Sequence, residues 1–279
     1  MSDVQTLADR MKAYEDAECA HRFMPLLPIL IRVDGRAFHS FTRGMDRPFD
    51  GQLSHAMTVA TTYLVNETGA LMGYTQSDEI TLALYSPDPK SQVWFDGRVC
   101  KIVSQSAALA TLHFNHAIAE TMPEYASRKP TFDARAWQVP TLEEAANVFL
   151  WRERDAVKNS ITAAAQSVYS HKELDGKDSN AKQEMLFQKG INWNDYEPRF
   201  KRGTYVQRRT LSGPFTATEI ENLPEKHEAR RNPDLIVARS KLEVIDMPPL
   251  GTVLNRVAVI FDGAQPQTAT MEPLNKEGT

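Results

Sequence analysis

Cysteine is almost absent from this chain: Cys19 and Cys100 are the only two in 279 residues, and neither falls in a Cys-x-x-Cys or Cys-His spacing. That excludes a disulfide framework, argues against a zinc site and fits a reducing compartment. Long hydrophobic runs are missing as well. No stretch approaches the roughly 20 apolar residues a bilayer requires, and the N-terminus opens on polar Ser2, Asp3 and Gln5, so a cytoplasmic protein without a membrane partner is expected. There is no repeat period and no low-complexity tract. Positive charge is in slight deficit, 32 Lys and Arg against 36 Asp and Glu for a net −4, which excludes a protein that coats nucleic acid by bulk attraction. A chain of this length buries roughly 75% of its unfolded surface and folds without staples, as one large domain or two modest ones.

What is present reads as helices and strands in mixed order. Leu7, Met11 and Tyr14 give Leu7 to Cys19 a helical spacing, and Pro28 to Val33 is a short β-branched run ending at Asp34-Gly35. A helix opening at Asp50-Gly51 carries Leu53, Met57, Ala60, Leu64 and Val65 to Gly69. Leu71 to Thr75 and Ile80 to Tyr85 are separated only by Gln76-Ser77-Asp78-Glu79, which predicts an antiparallel hairpin with the acidic pair at its tip. A long helix follows towards His116, then a strand from Phe132 to Val139. Thr141 and Glu144, three apart, start a helix that reaches about Tyr169, and a further helix spans Ser179 to Lys189. Thr204 to Arg209 and Leu242 to Met247 are candidate strands. Gly213 to Pro233 is polar and interrupted, and the last dozen residues look frayed. A hairpin without obligatory crossovers places the chain in the α+β class, a sheet layered with helices.

Chemistry is suggested by Asp34, where the first strand enters its loop, and by Asp78-Glu79. If the hairpin lies beside that strand, three carboxylates converge at one edge, and hard oxygen ligands of this kind favour Mg²⁺ over zinc or copper. Two such ions, roughly 3.5 to 4 Å apart, would orient a hydroxyl and a leaving pyrophosphate for nucleotidyl transfer. The same spacing equally describes a turn with solvated acids. Gly35 lets the backbone approach a phosphate, although Gly35 to His39 is not a Walker A loop. His39, beside Phe38 and Phe41, is either a triphosphate contact or a packed loop residue. Between Leu150 and Thr210 twelve Lys and Arg stand against eight Asp and Glu, a local basic excess that solvated helix faces also explain.

Arg32-Val33-Asp34-Gly35-Arg36-Ala37-Phe38-His39-Ser40-Phe41, Arg47-Pro48-Phe49-Asp50 and Tyr74-Thr75-Gln76-Ser77-Asp78-Glu79 resemble the motif blocks of the tRNA-histidine guanylyltransferase family. Leu7 to Glu15, Phe132-Asp133 with Arg135, Trp151-Arg152 with Asp155, and Lys182 with Glu184 before Gly190-Ile191-Asn192-Trp193-Asn194 extend the likeness in order over about residues 5 to 210. The resemblance implies a palm-type antiparallel sheet layered with helices, like that of polymerases and nucleotidyl cyclases. It implies a palm catalytic domain over 1–140, a helical region for tRNA binding and oligomer contacts over 141–212, and an extension of unassigned role over 213–279. Two Mg²⁺ would be held by Asp34, Asp78 and the Gly35 carbonyl, with Glu79 also required. Arg36, Ala37, Phe38 and His39 would line the incoming triphosphate, with Arg98 and Lys101 neutralising it. Arg47, where the family usually has Lys, and Ser77 would lie near the activating ATP. The substrates implied are ATP, GTP or other NTPs and tRNA, and the assembly a homotetramer. Lys158, Lys172, Lys182, Lys201 and Arg202 become candidates for tRNA phosphates, and Trp193 is either a base-stacking platform or a buried indole.

Members specialised for tRNA-histidine carry His-Ile-Asn-Asn where this chain has Val157, Lys158, Asn159 and Ser160. The missing histidine is typical of the bacterial, archaeal and phage-type members, which favour template-directed 5′-end repair. The readings left open are strict guanylyl addition to tRNA-histidine, nucleotidyl cyclisation without RNA, and a non-catalytic RNA-binding module.

Overall fold

The computed structural model describes residues 6–269 apart from positions 92 and 233. Helix α1 (Leu7–Cys19) is capped by Thr6, whose side chain accepts from the Asp9 N–H. Strand β1 (Ile29–Gly35) and the short helix α2 (Phe38–Phe41) follow. Helix α3 (Gly51–Thr68) starts where Asp50 accepts from the N–H groups of Gln52 and Leu53, both at 2.9 Å, and stops at Gly69. The hairpin of β2 (Met72–Gln76) and β3 (Glu79–Leu84) leads to α4 (Val99–Thr121), β4 (Phe132–Gln138) and α5 (Leu142–Gln166). Then come α6 (His171–Leu174), α7 (Ser179–Gln188), α8 (Pro198–Arg202), β5 (Thr204–Pro214), α9 (Ala217–Asn222), β6 (Ile236–Ile245) and α10 (Arg256–Phe261).

The six strands form one antiparallel sheet in the order β4-β1-β3-β2-β5-β6. The hairpin and its place beside β1 are as the sequence predicts. Alternation along β1 divides the sheet's two faces. Ile29, Ile31 and Val33 join Leu64, Val65, Ile80, Leu82, Ile102 and Phe114 in a buried core under α3 and α4. Leu30 faces the other way, with Met72, Tyr74, Phe149 and Tyr205 beneath α5.

The C-terminal third departs from one expectation. β6 begins at Ile236, ahead of the expected Leu242, and pairs along its whole length with β5, so the sheet draws strands from all three of the ranges 1–140, 141–212 and 213–279. The apolar Val257 to Phe261 run, whose composition suits a strand as well as a helix, lies in helix α10, which buries Val259, Ile260 and Phe261 in the α5-side core. A five-residue apolar run serves either structure, and tertiary burial decides between them. The frayed-tail expectation falls mostly on residues 270–279, outside the described residues. Far apart in sequence, the two exposed cysteines are brought side by side, and the Cys100 thiol holds the Cys19 thiol above its usual range. No helix among the described residues is long and apolar enough to cross a membrane.

Candidate active site

The site begins where β1 ends. The Gly35 N–H donates to the Asp78 carbonyl at 3.0 Å, so the end of β1 is tied to the hairpin turn. A Cβ on Gly35 would stand 2.3 Å from the Phe38 ring, so glycine is required here by its own neighbour in the chain. In the turn Ser77 takes a left-handed φ of 49°, and its hydroxyl donates to Asp78 Oδ1 at 3.1 Å. Burial pushes the Asp78 carboxyl above its ordinary range; its own N–H and Ser77 oppose this, and the neighbouring Asp34 charge adds to it.

Glu79 parts from its neighbour. Register places it opposite Asp34, yet its carboxylate receives both the Nε and Nη2 of Arg152, at 2.6 and 2.7 Å. Arg32 lies 3.9 Å from the same group, and Arg152 also reaches Asp155 at 3.1 Å. Burial raises the Glu79 carboxyl while the Arg152 fork pulls it back. The expected convergence of three free carboxylates is therefore corrected to two, with the third engaged by a buried guanidinium. Arg152 was legible only as a motif match, but it occupies the buried stripe of α5 with Ala145, Phe149 and Ala156. An arginine on an apolar stripe requires an anion within reach.

Among the described residues no three acidic, histidine or cysteine side chains converge on one metal position. The donors that remain are the Asp34 and Asp78 carboxylates with the Gly35 carbonyl. That hard-oxygen set fits Mg²⁺, which binds through one or two carboxylates and completes its shell with water and substrate phosphate. Asp34 is 40% exposed, with Arg135 at 3.7 Å as its salt-bridge partner, and Asp78 is lifted by burial. Both gain from a cation.

Arg47 and Ser77 meet in a cavity of about 270 Å³, with Phe49, Gln76, Asn159 and Phe200 also on its wall. Phe49 and Phe200 stack at 5.1 Å between centroids. Asn159 and the two aromatics were not singled out as nucleotide contacts from sequence. Arg36 is exposed on the loop after β1 and His39 is exposed on α2, its Nε2 3.1 Å from the Ser40 hydroxyl. Ala37, at φ 55°, is the residue before α2, whose first N–H groups have no intrahelical acceptor. Phe38 is a correction: its ring is 5% exposed and packs against Phe41, Phe114 and Phe132, leaving only its backbone to meet a ligand.

Arg98 and Lys101 are not brought to Asp34. The start of α4 adjoins Phe23, Met24 is tied to Gln138, and Gln138 pairs with Ile29 at the opposite end of β1. Thr111 and Asn115, more than three helical turns later, reach Phe132 and Pro130 beside Gly35. Of the tRNA candidates, Lys158 and Lys172 are exposed. Lys182 donates to the Thr162 hydroxyl at 3.0 Å, and Lys201 bonds the Asn194 carbonyl and lies over the Trp193 ring. Arg202 is half-buried, its Nη2 3.5 Å from the Met247 carbonyl. Trp193 is half-buried and donates to Ser160 at 3.2 Å, as the packed-indole reading expects.

Residues 8–140 match the family model described as tRNAHis guanylyltransferase. A bacterial tRNA(His) guanylyltransferase (Thg1)-like protein solved in complex with ATP superposes at a TM-score of 0.73, with 33% identity over 88% of this chain and 94% of that one. The chain belongs to the tRNAHis guanylyltransferase family. These are nucleotidyltransferases, and the antiparallel sheet with its helical layers is their palm-type fold. A Thg1-like bacterial protein in complex with GTP matches at 31% identity with the same coverage and a TM-score of 0.67. An uncharacterized protein of Acanthamoeba polyphaga mimivirus is 30% identical over 59% of this chain, which spans 64% of that protein's length.

Proposed function

We propose that this chain adds nucleotides in the 3′-to-5′ direction to tRNA 5′ ends, directed by a template, as end repair. The observation that carries the reading is the pairing of Asp34 with Asp78 at one end of a palm-type sheet while Glu79 is withdrawn to Arg152. The relatives solved with ATP and GTP support nucleotide substrates.

A 5′-monophosphate is a poor electrophile, so ATP first adenylylates it and releases pyrophosphate. The 3′-hydroxyl of an incoming NTP then attacks the activated phosphate and expels AMP. The cavity holding Arg47 and Ser77 receives the activating ATP, Phe49 and Phe200 offering apolar surface to its base and Arg47 a charge to its phosphates. Arg36, His39 and the backbone of Ala37 and Phe38 take the incoming triphosphate. Arg152 keeps the hairpin turn in place by holding Glu79, so Asp78 stays aimed at the same point as Asp34. Bound Mg²⁺ would supply charge neutralisation on the reacting phosphates, held by Asp34, Asp78 and the Gly35 carbonyl. Lys158 and Lys172 are the tRNA candidates whose ammonium groups have no partner among the described residues.

A homotetramer belongs to this reading: α1 buries none of its residues in the single chain and leaves Leu7, Met11 and Tyr14 exposed, a face that assembly would cover. Light scattering at working concentration checks it, and a monomer would contradict it. The activity is tested by incubating the protein with Mg²⁺, ATP, all four NTPs and a 5′-labelled tRNA lacking its first nucleotide, alongside full-length tRNA-histidine. Restoration of the missing pair on the truncated tRNA is expected. A single G added only to tRNA-histidine would replace repair with strict guanylyl addition, and no extension of either would sink both.

A further inference from the structure

On the outer side of the loop after β1 lies an open cleft of about 650 Å³ lined by Arg36, Ser40, Arg43, Arg128, Lys129 and Thr131, with no acidic residue on its wall. It adjoins the catalytic end of the sheet directly. The Arg36 N–H donates to the Thr131 carbonyl at 2.8 Å, just beyond the Gly35–Phe132 pair that closes the β1–β4 ladder. Arg128 is held in place. Its Nη1 donates to the Phe41 carbonyl and, at 2.8 Å, to that of Arg43, and its guanidinium lies 4.4 Å from the Tyr125 ring centroid. Lys129 is presented from a left-handed turn at φ 45°. None of the ion pairs among the described residues involves Arg36, Arg43, Arg128 or Lys129.

Four cations gathered without a counter-charge, on a chain whose net charge is −4, repel one another and create a local positive potential. The ligand such a surface attracts is an anion. The cleft is open, its cationic side chains are exposed, and it has no enclosed wall to hold a base, so recognition here rests on charge alone. Arg36, two residues after Asp34, shares the cleft wall with Arg43 and Lys129. Several cations on one open wall suit phosphates in series. We propose that this cleft binds the sugar–phosphate backbone of the RNA substrate next to its reacting 5′ end, with Arg43 and Lys129 as phosphate contacts and Arg128 as the charge that fixes the 41–44 loop. The inference rests on the reading that the substrate is RNA, and it assigns that RNA a path past the β4 edge of the sheet. One other source of the same chemistry is the triphosphate tail of a free nucleotide.

Salt dependence separates these possibilities. Each phosphate contact removed lowers the slope of log K against log[salt] by about 0.7 for single-stranded and about 0.9 for duplex contacts, which loss of a merely structural residue would not do. The full chain, as Arg43→Gln, Lys129→Asn and the double variant, is titrated onto a fluorescent tRNA lacking its first nucleotide between 50 and 200 mM KCl. Asparagine is chosen at position 129 because it tolerates the left-handed backbone. Lys226→Gln, a charge change on an exposed residue away from the cleft, is the control. The same proteins are titrated with ATP and with GTP in the presence of Mg²⁺. Expected are weaker tRNA binding at every salt concentration, a slope reduced by about 1.5 in the double variant, an unchanged slope in the control and unchanged nucleotide affinities. An unchanged slope in the double variant overturns the proposal, as does an equal fall in the control. Lost nucleotide affinity with tRNA binding intact would reassign the cleft to the triphosphate tail. Wild-type protein that binds no RNA would remove the functional reading and this inference together, whereas wild-type binding with unaltered variants removes this inference alone.

Discussion

The two faces of the sheet solve different problems. Under α3 and α4 the buried side chains are apolar, apart from hydroxyls such as Thr61 and Ser106 that return to carbonyls of their own helices. Between α5 and the sheet lie the buried charged residues Glu79 of β3 and Arg152 and Glu153 of α5, with Tyr74, Tyr205 and Gln207 bonded among them or to nearby backbone. The first face contributes stability through burial alone. The second spends some of that stability on fixing where charges point, and the reactive end of the sheet belongs to it. One helix, α5, serves as both core element and orienting element.

Changes at the reactive end test this contrast most severely. Asp34→Asn and Asp78→Asn should each lower nucleotide addition by about 10³-fold or more while leaving the far-ultraviolet circular dichroism intact. Retained turnover in either would remove the two-carboxylate assignment. Next in size is Arg152→Met, which strands Glu79 in a buried position. A loss of about 3 to 5 kcal/mol in urea unfolding is expected. The double change Glu79→Met with Arg152→Met should regain most of that stability without regaining activity, since an apolar pair replaces the ions but does not orient the turn. On the other face, Leu82→Ala should cost about 2 to 5 kcal/mol through its cavity. That loss should be the same in low and high salt, whereas a Leu82→Ala penalty that varies with salt would mean the two faces are not separable.

Legibility in the sequence follows the same division. The strand ending at Asp34-Gly35 and the hairpin carrying Asp78 were readable because each is a local pattern: a short apolar run into a turn, and two runs four residues apart. What lay 73 residues apart was not, and the Arg152–Glu79 pair is the clearest case. A buried-stripe arginine on α5 announces that an anion is near but not which one. Adjacency misled at Phe38, where one helical turn sends the ring into the core while its neighbours Ala37 and His39 stay exposed. Arg98 and Lys101 were placed by family likeness alone, and in this chain α4 carries them to the opposite end of β1.

The gentlest probe of the α5 face is Glu153, which ties that helix to the C-terminal third. Its carboxylate accepts from the Leu250 N–H at 2.7 Å and from the Tyr205 hydroxyl at 2.9 Å. Burial nonetheless raises its pKa above the ordinary value, with those two bonds and Arg202 pulling the other way. The folded chain then holds this proton more tightly than the unfolded one. Its contribution to stability is fully present below the unfolded value near 4.3 and is lost as the pH rises through the higher folded value. Glu153→Gln has nearly the same shape, can accept from Leu250, and lets the Tyr205 hydroxyl rotate to accept from its amide. The variant should match the wild type within about 1 kcal/mol at acidic pH, where both side chains are neutral. As the pH is raised towards 8 the variant should gain on the wild type, read from urea midpoints at each pH. If the wild type instead gains on the variant, the bonds to Leu250 and Tyr205 favour the ionised carboxylate more than burial disfavours it. The α5 face would then be stabilised by its charges, and the contrast between the two faces would narrow to one of chemistry without a difference in cost.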